Sequence, residues 1–293
     1  LSDKYGRWEE DAEFDRKHPI KTLHHIACEN RRLQENGKWS GEIALVTLKG
    51  DIDNLGALFQ NGLQELTFAR WTALSRQVNT FFALWLPWYC AHGENGRFHN
   101  TYTVFAGGDD FFLIGPWEST LELASAMRRE FARYVARDDI TFSLGAVMTH
   151  PKVPARQLAT AAEAGLHTAK QHDEKNAVSL WGITIGWAEW QALMGKRRDA
   201  LEELISEAGN LSTGFIYNLL RLSDQAERDR PEKADRRPED ALWRSRLAYR
   251  CARLPKHQQT IGKALASECG EALKQCRGAY RLPVSVLLYR QRQ

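Results

Sequence analysis

The chain has 293 residues, 43% hydrophobic and 26% charged, with a formal net charge of +3. That length builds one large or two modest domains, each with its own core, and no apolar run approaches a membrane span. Five scattered cysteines, Cys28, Cys90, Cys251, Cys269 and Cys276, are odd in number and fit reduced thiols in a cytoplasm rather than a disulfide framework.

Residues 1–40 are charged and weakly periodic, and they read as a connecting segment. The opening LSDKYGRWEEDAEFD is neither a signal nor a transit peptide. His24, His25 and Cys28 raise a zinc question, but no second ligand pair stands at CxxC spacing, so they read as polar residues on a helix face. Glu42 to Lys49, EIALVTLK, is an apolar, β-branched run that reads as a buried strand. It delivers Asp51 to its end and is followed by the loop Ile52, Asp53, Asn54, Leu55, Gly56, whose backbone amides suit phosphate.

A long helix is expected from Thr67 to Tyr89, with Trp71, Leu74, Val78, Phe81, Phe82 and Trp85 on one face against a sheet. The next segment carries most of the chemistry. Thr101 to Gly115, TYTVFAGGDDFFLIG, is two β-patterned runs meeting at a tight turn, where Gly107 and Gly108 allow positive φ and leave room for a phosphate chain. Asp109 and Asp110 then project from the turn as hard oxygen ligands suited to Mg²⁺ or Mn²⁺. If the strand and hairpin are sheet neighbours, Asp51 joins them and three carboxylates surround one or two metal ions, an arrangement for phosphoryl or nucleotidyl transfer. Gly and Asp are also ordinary hairpin residues, and that structural reading of the turn stands beside the catalytic one.

A helix follows from Ser119 to Ala136, with Ser119 or Thr120 as its cap. Thr141 to Met148 alternates as a strand, an Ala-rich helix runs from Pro154 to about Gln171, and Ala177 to Trp181 returns as a strand. Lys170 and Lys175 flank the intervening turn, either as phosphate ligands or as lysines complementing the helix dipole.

Taken in order, LKGDIDNLGALF, SRQVNTFF, YTVFAGGDDFFLIGPW, TFSLGAV and EAGLHTAKQHDEKNAVSLWG resemble the cyclase/polymerase palm of the large subunit of type III CRISPR effector complexes, subtype III-A in particular. More distantly the segment is similar to GGDEF diguanylate cyclases. The resemblance implies an α+β, ferredoxin-like βαββαβ palm over residues 41–185 and an all-helical domain over residues 186–293. It also implies synthesis of cyclic oligoadenylate from ATP in antiviral defence. On this pattern Asp51, Asp109 and Asp110 are catalytic and, with the Ile52 carbonyl, bind the metal. Asn54, Leu55, Gly56, Gly107, Gly108, Lys170 and Lys175 hold nucleotide, while Phe59 and Ser75 line the base pocket. Neither an HD motif nor a second GGDD is present, so the chain is expected to be the C-terminal half of such a subunit. A stand-alone GGDEF-type cyclase and a non-catalytic ATP-binding scaffold remain the alternatives.

Beyond Trp181, Trp187 to Ala208 and Ser212 to Arg228 have helical patterns. Glu227 to Asp240, ERDRPEKADRRPED, has 11 charged residues in 14 and reads as a solvated loop or linker. Residues 241–293 hold 11 Lys or Arg against two Glu. Arg244, Arg246, Arg250, Arg253 and Lys256 are therefore candidate contacts, either to RNA phosphates or to a protein subunit of the effector complex that itself holds CRISPR RNA and target RNA, with a plainly solvated surface as the third reading. No membrane partner is expected, and the location is expected to be cytoplasmic.

Overall fold

A computed structural model describes residues 4–5, 21–56, 67–209 and 211–292. It divides into two compact units, one ending at Trp187 and the other spanning Ala188–Arg292. Among the described residues, no helix is long and apolar enough to cross a membrane.

The first unit opens with helix α1 (Leu23–Cys28) and a small hairpin, β1 (Arg32–Leu33) and β2 (Trp39–Ser40). Residues 21–40 are thus not a mere connector. Ile26 and Ala27 of α1 are buried in one apolar cluster with Leu45, Ile114 and Leu158. A six-residue helix is too short to show its apolar face as a period, which is why the sequence alone did not reveal it. Thr22 and His25 close a capping box at its start.

Six strands form the main sheet: β3 (Leu45–Ile52), β4 (Tyr102–Gly107), β5 (Asp110–Pro116), β6 (Phe142–Thr149), β7 (Ala177–Leu180) and β8 (Ile183–Gly186). Their spatial order is β4-β5-β3-β6-β7-β8. The first four pair antiparallel, with β3 in the middle, and with the helices between them this is the ferredoxin-like βαββαβ plan. The helices are α2 (Phe68–Thr80), which continues through a π turn at Phe81–Trp85 into α3 (Leu86–His92), then α4 (Trp117–Val135) and α5 (Ala155–Lys170). A crossover through α5 brings β7 parallel to β6, and β8 returns as a hairpin through Trp181 and Gly182, both at positive φ. Strand β8 lay beyond the strand expected from sequence.

One face of the sheet is an aromatic core. Phe82, Phe111, Phe131, Phe142 and Trp187 are buried in successive ring contacts with centroids 5.2–5.9 Å apart. Of the apolar positions expected on the long helix, Val78, Phe81 and Phe82 are buried and Trp71 is 44% exposed. Helix α4 starts two residues before the expected cap. Ser119 and Thr120 are buried inside its first turn, and the Asn30 side chain accepts from the Glu118 and Ser119 amides at 2.8 and 3.0 Å, so the cap comes from a distant segment.

The second unit contains α6 (which begins at Trp187 and runs to Ala192), α7 (Arg198–Glu207), α8 (Thr213–Arg228), α9 (Trp243–Ala252), α10 (Gln259–Cys276) and α11 (Arg281–Gln291). Its core includes Leu219, Leu222, Leu265, Cys269 and Tyr280. In the charged stretch 227–240 residues 231–239 are exposed, as expected, but two of its carboxylates are not. Asp229 and Asp240 are buried, Asp229 accepting from Arg236, Trp243 and Arg244 at 2.9–3.1 Å and Asp240 from Arg228 at 3.1 Å. Composition predicts solvation for such a run, but pairing with arginines lets these two carboxylates go inside. Arg244, expected as a partner contact, pairs with Asp229 while its own side chain stays 57% exposed. All five cysteines are free, and all but Cys276 are buried.

Candidate active site

Strand β3 carries the site because it is flanked on both sides. It is shifted along the chain from the expected 42–49, and the ladder runs through Asp51 to Ile52. In the β3–β5 register Asp51 stands directly opposite Asp110, and Gly50 opposite Phe111. Asp110 is therefore a strand residue, also paired with Gly107, and only Gly108 and Asp109 make the turn. Gly108 alone takes positive φ, at 64°. Gly107 was also expected to; it lies instead in β4, where a Cβ would come 3.4 Å from the Asn79 amide oxygen. That oxygen accepts from the Gly108 amide at 2.8 Å, so α2 braces the hairpin tip.

Gly50 is required by packing. A Cβ there would lie 2.2 Å from the Phe111 ring, which is fully buried across the strand. With Phe111 and Ile52 on the core side, alternation puts Asp51 and Asp110 together on the opposite face. Helix α5 crosses that face at very close range, since a Cβ on Gly145 of β6 would meet the Leu166 amide nitrogen at 2.2 Å. The approach lets Lys49 pair with Glu163, and it brings Lys170, in the last turn of α5, onto Asp51.

The loop after β3 is fixed from three sides. Asp53 is 3% exposed and accepts from the Thr141 and Ser143 hydroxyls at 2.8 and 2.7 Å and from the Asn176 amide at 3.0 Å. Asn54 is left-handed (φ 53°), and its side chain accepts from the Lys175 ammonium at 2.6 Å. Lys175 and Asn176 are themselves left-handed (φ 53° and 44°), which points the Asn176 amide at Asp53. The two loops at the end of β3 and the start of β7 thus hold each other.

Ile52 is buried and donates its amide to the Asp109 carbonyl at 3.0 Å, tying strand end to hairpin tip. Leu55 is half-buried and Gly56 exposed. Ser75 is exposed on α2, one turn before Asn79, and Phe59 lies outside the described residues. Three positioning residues went unnoticed in the sequence: Asp53, Asn79 and Asn176. A second Asp two places after Asp51 was the only signal for the first, and nothing local marked the other two.

Burial and then the neighbouring Asp109 charge raise the Asp110 carboxyl above its ordinary value. Burial, followed by the charge on Lys175, lowers the Lys170 ammonium. Among the described residues no three carboxylate, imidazole or thiolate groups gather closely enough to cage a metal ion, so the expected ring of three is not preformed. What is present fits a hard cation of another style. Two carboxylates face each other on adjacent strands, one of them disfavoured as an anion by burial and by its neighbour Asp109, matching a Mg²⁺ or Mn²⁺ ion that takes one or two protein carboxylates and completes its shell with water and substrate phosphate.

The chain is similar in sequence and in fold to known proteins. Residues 44–179 match the family model of the Cas10/Cmr2 second palm domain. Over 215 residues the chain is 32% identical to the CRISPR system single-strand-specific deoxyribonuclease Cas10/Csm1 (subtype III-A) of Enterococcus italicus, covering 71% of this chain and 26% of that protein. The chain therefore spans about a quarter of that relative's length. A Csm1-Csm4 cassette in complex with AMPPNP superposes with a TM-score of 0.66 at 20% identity, covering 95% of this chain and 39% of that one. The cassette in complex with cA4 gives 0.65 at 20% identity, covering 94% and 39%. At that identity the structures establish the fold, and the family match and the Enterococcus relative carry the assignment. Residues 44–179 are thus a member of the Cas10/Cmr2 second palm domain family.

Proposed function

We propose that this chain is part of the large subunit of a subtype III-A CRISPR effector complex and that its palm synthesises cyclic oligoadenylate from ATP. The observation that carries the reading is the opposed Asp51–Asp110 pair, with the cationic ends of Lys170 and Lys175 at the same end of β3. A structural turn needs no such convergence of charge. The relatives solved with AMPPNP and cA4 support an adenine nucleotide as substrate.

Asp51 and Asp110, with Asp109 and the Ile52 carbonyl, would hold a divalent cation, which when bound would supply Lewis acidity at the α-phosphate and acidify the attacking hydroxyl. The protein's own part is positioning. In the reaction the 3′-oxygen of one ATP forms a bond to the α-phosphorus of another, the bond to the β-phosphate oxygen breaks, pyrophosphate leaves, and the hydroxyl proton is lost to solvent. Lys170 and Lys175 neutralise triphosphate, and the Asn54, Leu55 and Gly56 amides line its path, held by Asp53. Gly107 and Gly108 keep the hairpin tip low enough for the phosphates to approach. Phe59 and Ser75 are proposed for the base.

The proposed partners are the other subunits of the complex, among them one like the Csm4 of the cassettes, with CRISPR RNA and target RNA acting through the assembly. Incubation with each labelled nucleotide and Mn²⁺, alone and with the remaining subunits plus target RNA, tests the proposal. Adenylate oligomers made only from ATP are expected; a guanylate product or none in the assembled complex would overturn it.

A further inference from the structure

The helical unit holds a cavity of about 700 Å³, inside the size range of small-ligand sites. Its wall includes Phe215, Tyr249, Arg250, Arg253 and His257, and no described carboxylate lines it. This sets it apart from the rest of the unit, whose arginines are largely neutralised internally: Arg197 by Glu268, Arg228 by Asp240, Arg244 by Asp229, Arg281 by Asp224 and Arg290 by Glu202. Among the described residues neither Arg250 nor Arg253 has a carboxylate partner. The Arg253 guanidinium instead donates to the Tyr249 hydroxyl at 2.5 Å and lies 5.3 Å from the centroid of that ring, which is 59% exposed.

Uncompensated guanidinium groups beside an exposed aromatic ring form a recognisable chemical combination. The charges call for an anion, and the ring offers a flat apolar surface that an isolated phosphate does not use. A nucleotide unit uses both, its base stacking on the ring and its flanking phosphates meeting the arginines. An acidic protein surface would satisfy the arginines and leave Tyr249 without a role. We infer that this cavity is a binding site for single-stranded nucleic acid, with one base against Tyr249 and adjacent phosphates on Arg250 and Arg253. The site lies wholly in the helical unit and does not depend on the palm chemistry.

The test is fluorescence anisotropy of the full chain with labelled oligouridine RNA and oligothymidine DNA over a range of salt, pyrimidines being used to avoid an adenine-selective palm. Arg250→Gln with Arg253→Gln is expected to weaken binding about tenfold or more and to flatten the slope of log affinity against log salt by about 1.4, the contribution of two phosphates. Tyr249→Ala should weaken binding at least about fivefold with the slope unchanged, and Tyr249→Phe should restore it. Lys263→Ala, an exposed lysine elsewhere on α10, serves as the control and should bind as the parent does. Independently of any variant, 4-thiouridine in the RNA should crosslink to the peptide containing Tyr249. Failure of the parent chain to bind either oligomer, binding by the arginine and tyrosine variants equal to the parent, or crosslinks confined to other peptides would overturn the inference.

Discussion

The Lys170 ammonium pairs with the Asp51 carboxylate, so the position proposed for a metal ligand is held by a cation that the chain itself supplies from the end of α5. Lys170→Ala should free Asp51 and tighten Mn²⁺ binding in the absence of nucleotide. The same change should weaken ATP binding by removing a triphosphate ligand. Manganese paramagnetic titration and ATP calorimetry read the two arms. A variant that lost affinity for both would show that Lys170 only supports the fold.

The hairpin carboxylates and Asp53 should separate cleanly. Asp109→Ala with Asp110→Ala removes half-exposed, mutually repelling charges, so stability should change by no more than about 0.5 kcal/mol while oligoadenylate synthesis by the assembled complex is lost. Asp53→Ala strands two hydroxyls and an amide in a buried site and should cost about 2 to 4 kcal/mol. Thermal melts of both variants check the contrast. Equal destabilisation would mean that the hairpin carboxylates are structural.

For Asp110 the sign of the pH dependence is fixed by the upward displacement of its carboxyl. A group that binds its proton more tightly folded than unfolded favours the fold at pH below its unfolded value and loses that advantage as pH rises through its folded value. Without metal, Asp110→Asn should therefore gain stability over the parent as pH rises out of the acid range, with no gain at the acid end. Divalent cation should bind with proton release and should tighten across the same interval. Parallel melting curves of parent and variant at every pH would contradict this.

Gly145→Ala places a methyl group against the backbone of α5 and should cost about 1 to 3 kcal/mol as the helix is pushed away. Because Lys170 and Glu163 ride on that helix, ATP binding should fall as well. Melting temperature and ATP affinity measured together test the coupling; an unchanged melting point would show that the helix moves freely.

If the base pocket selects adenine, ATP with Mg²⁺ or Mn²⁺ should raise the melting temperature more than GTP at equal concentration, since stabilisation follows ligand concentration over dissociation constant. A larger shift with GTP would move the reading towards the diguanylate cyclases.

The hairpin, the strand that carries Asp51 and the helices that cover the core were legible in the sequence, because each is written in local terms. Alternating apolar residues meet at Gly107–Gly108, a β-branched run precedes Asp51, and Val78, Phe81 and Phe82 recur at helical spacing. What differs between Asp51 and Asp53 is not local. Both are acids near one strand end, yet Asp53 is buried because Thr141, Ser143 and Asn176 converge on it from about 90 to 120 positions away, whereas Asp51 stays partly exposed and pairs with Lys170. The same holds for Asn30 capping α4, Asn79 bracing the Gly108 turn, and the burial of Asp229 and Asp240 within a stretch whose composition reads as solvated. The sequence by itself determined which residues form strands, turns and amphipathic helices, since backbone preference and side-chain period act over a few positions. Only the tertiary structure decided which polar side chains are ligands of the fold and which stay available for substrate, because burying a polar group depends on partners that the folded chain alone brings within hydrogen-bonding distance.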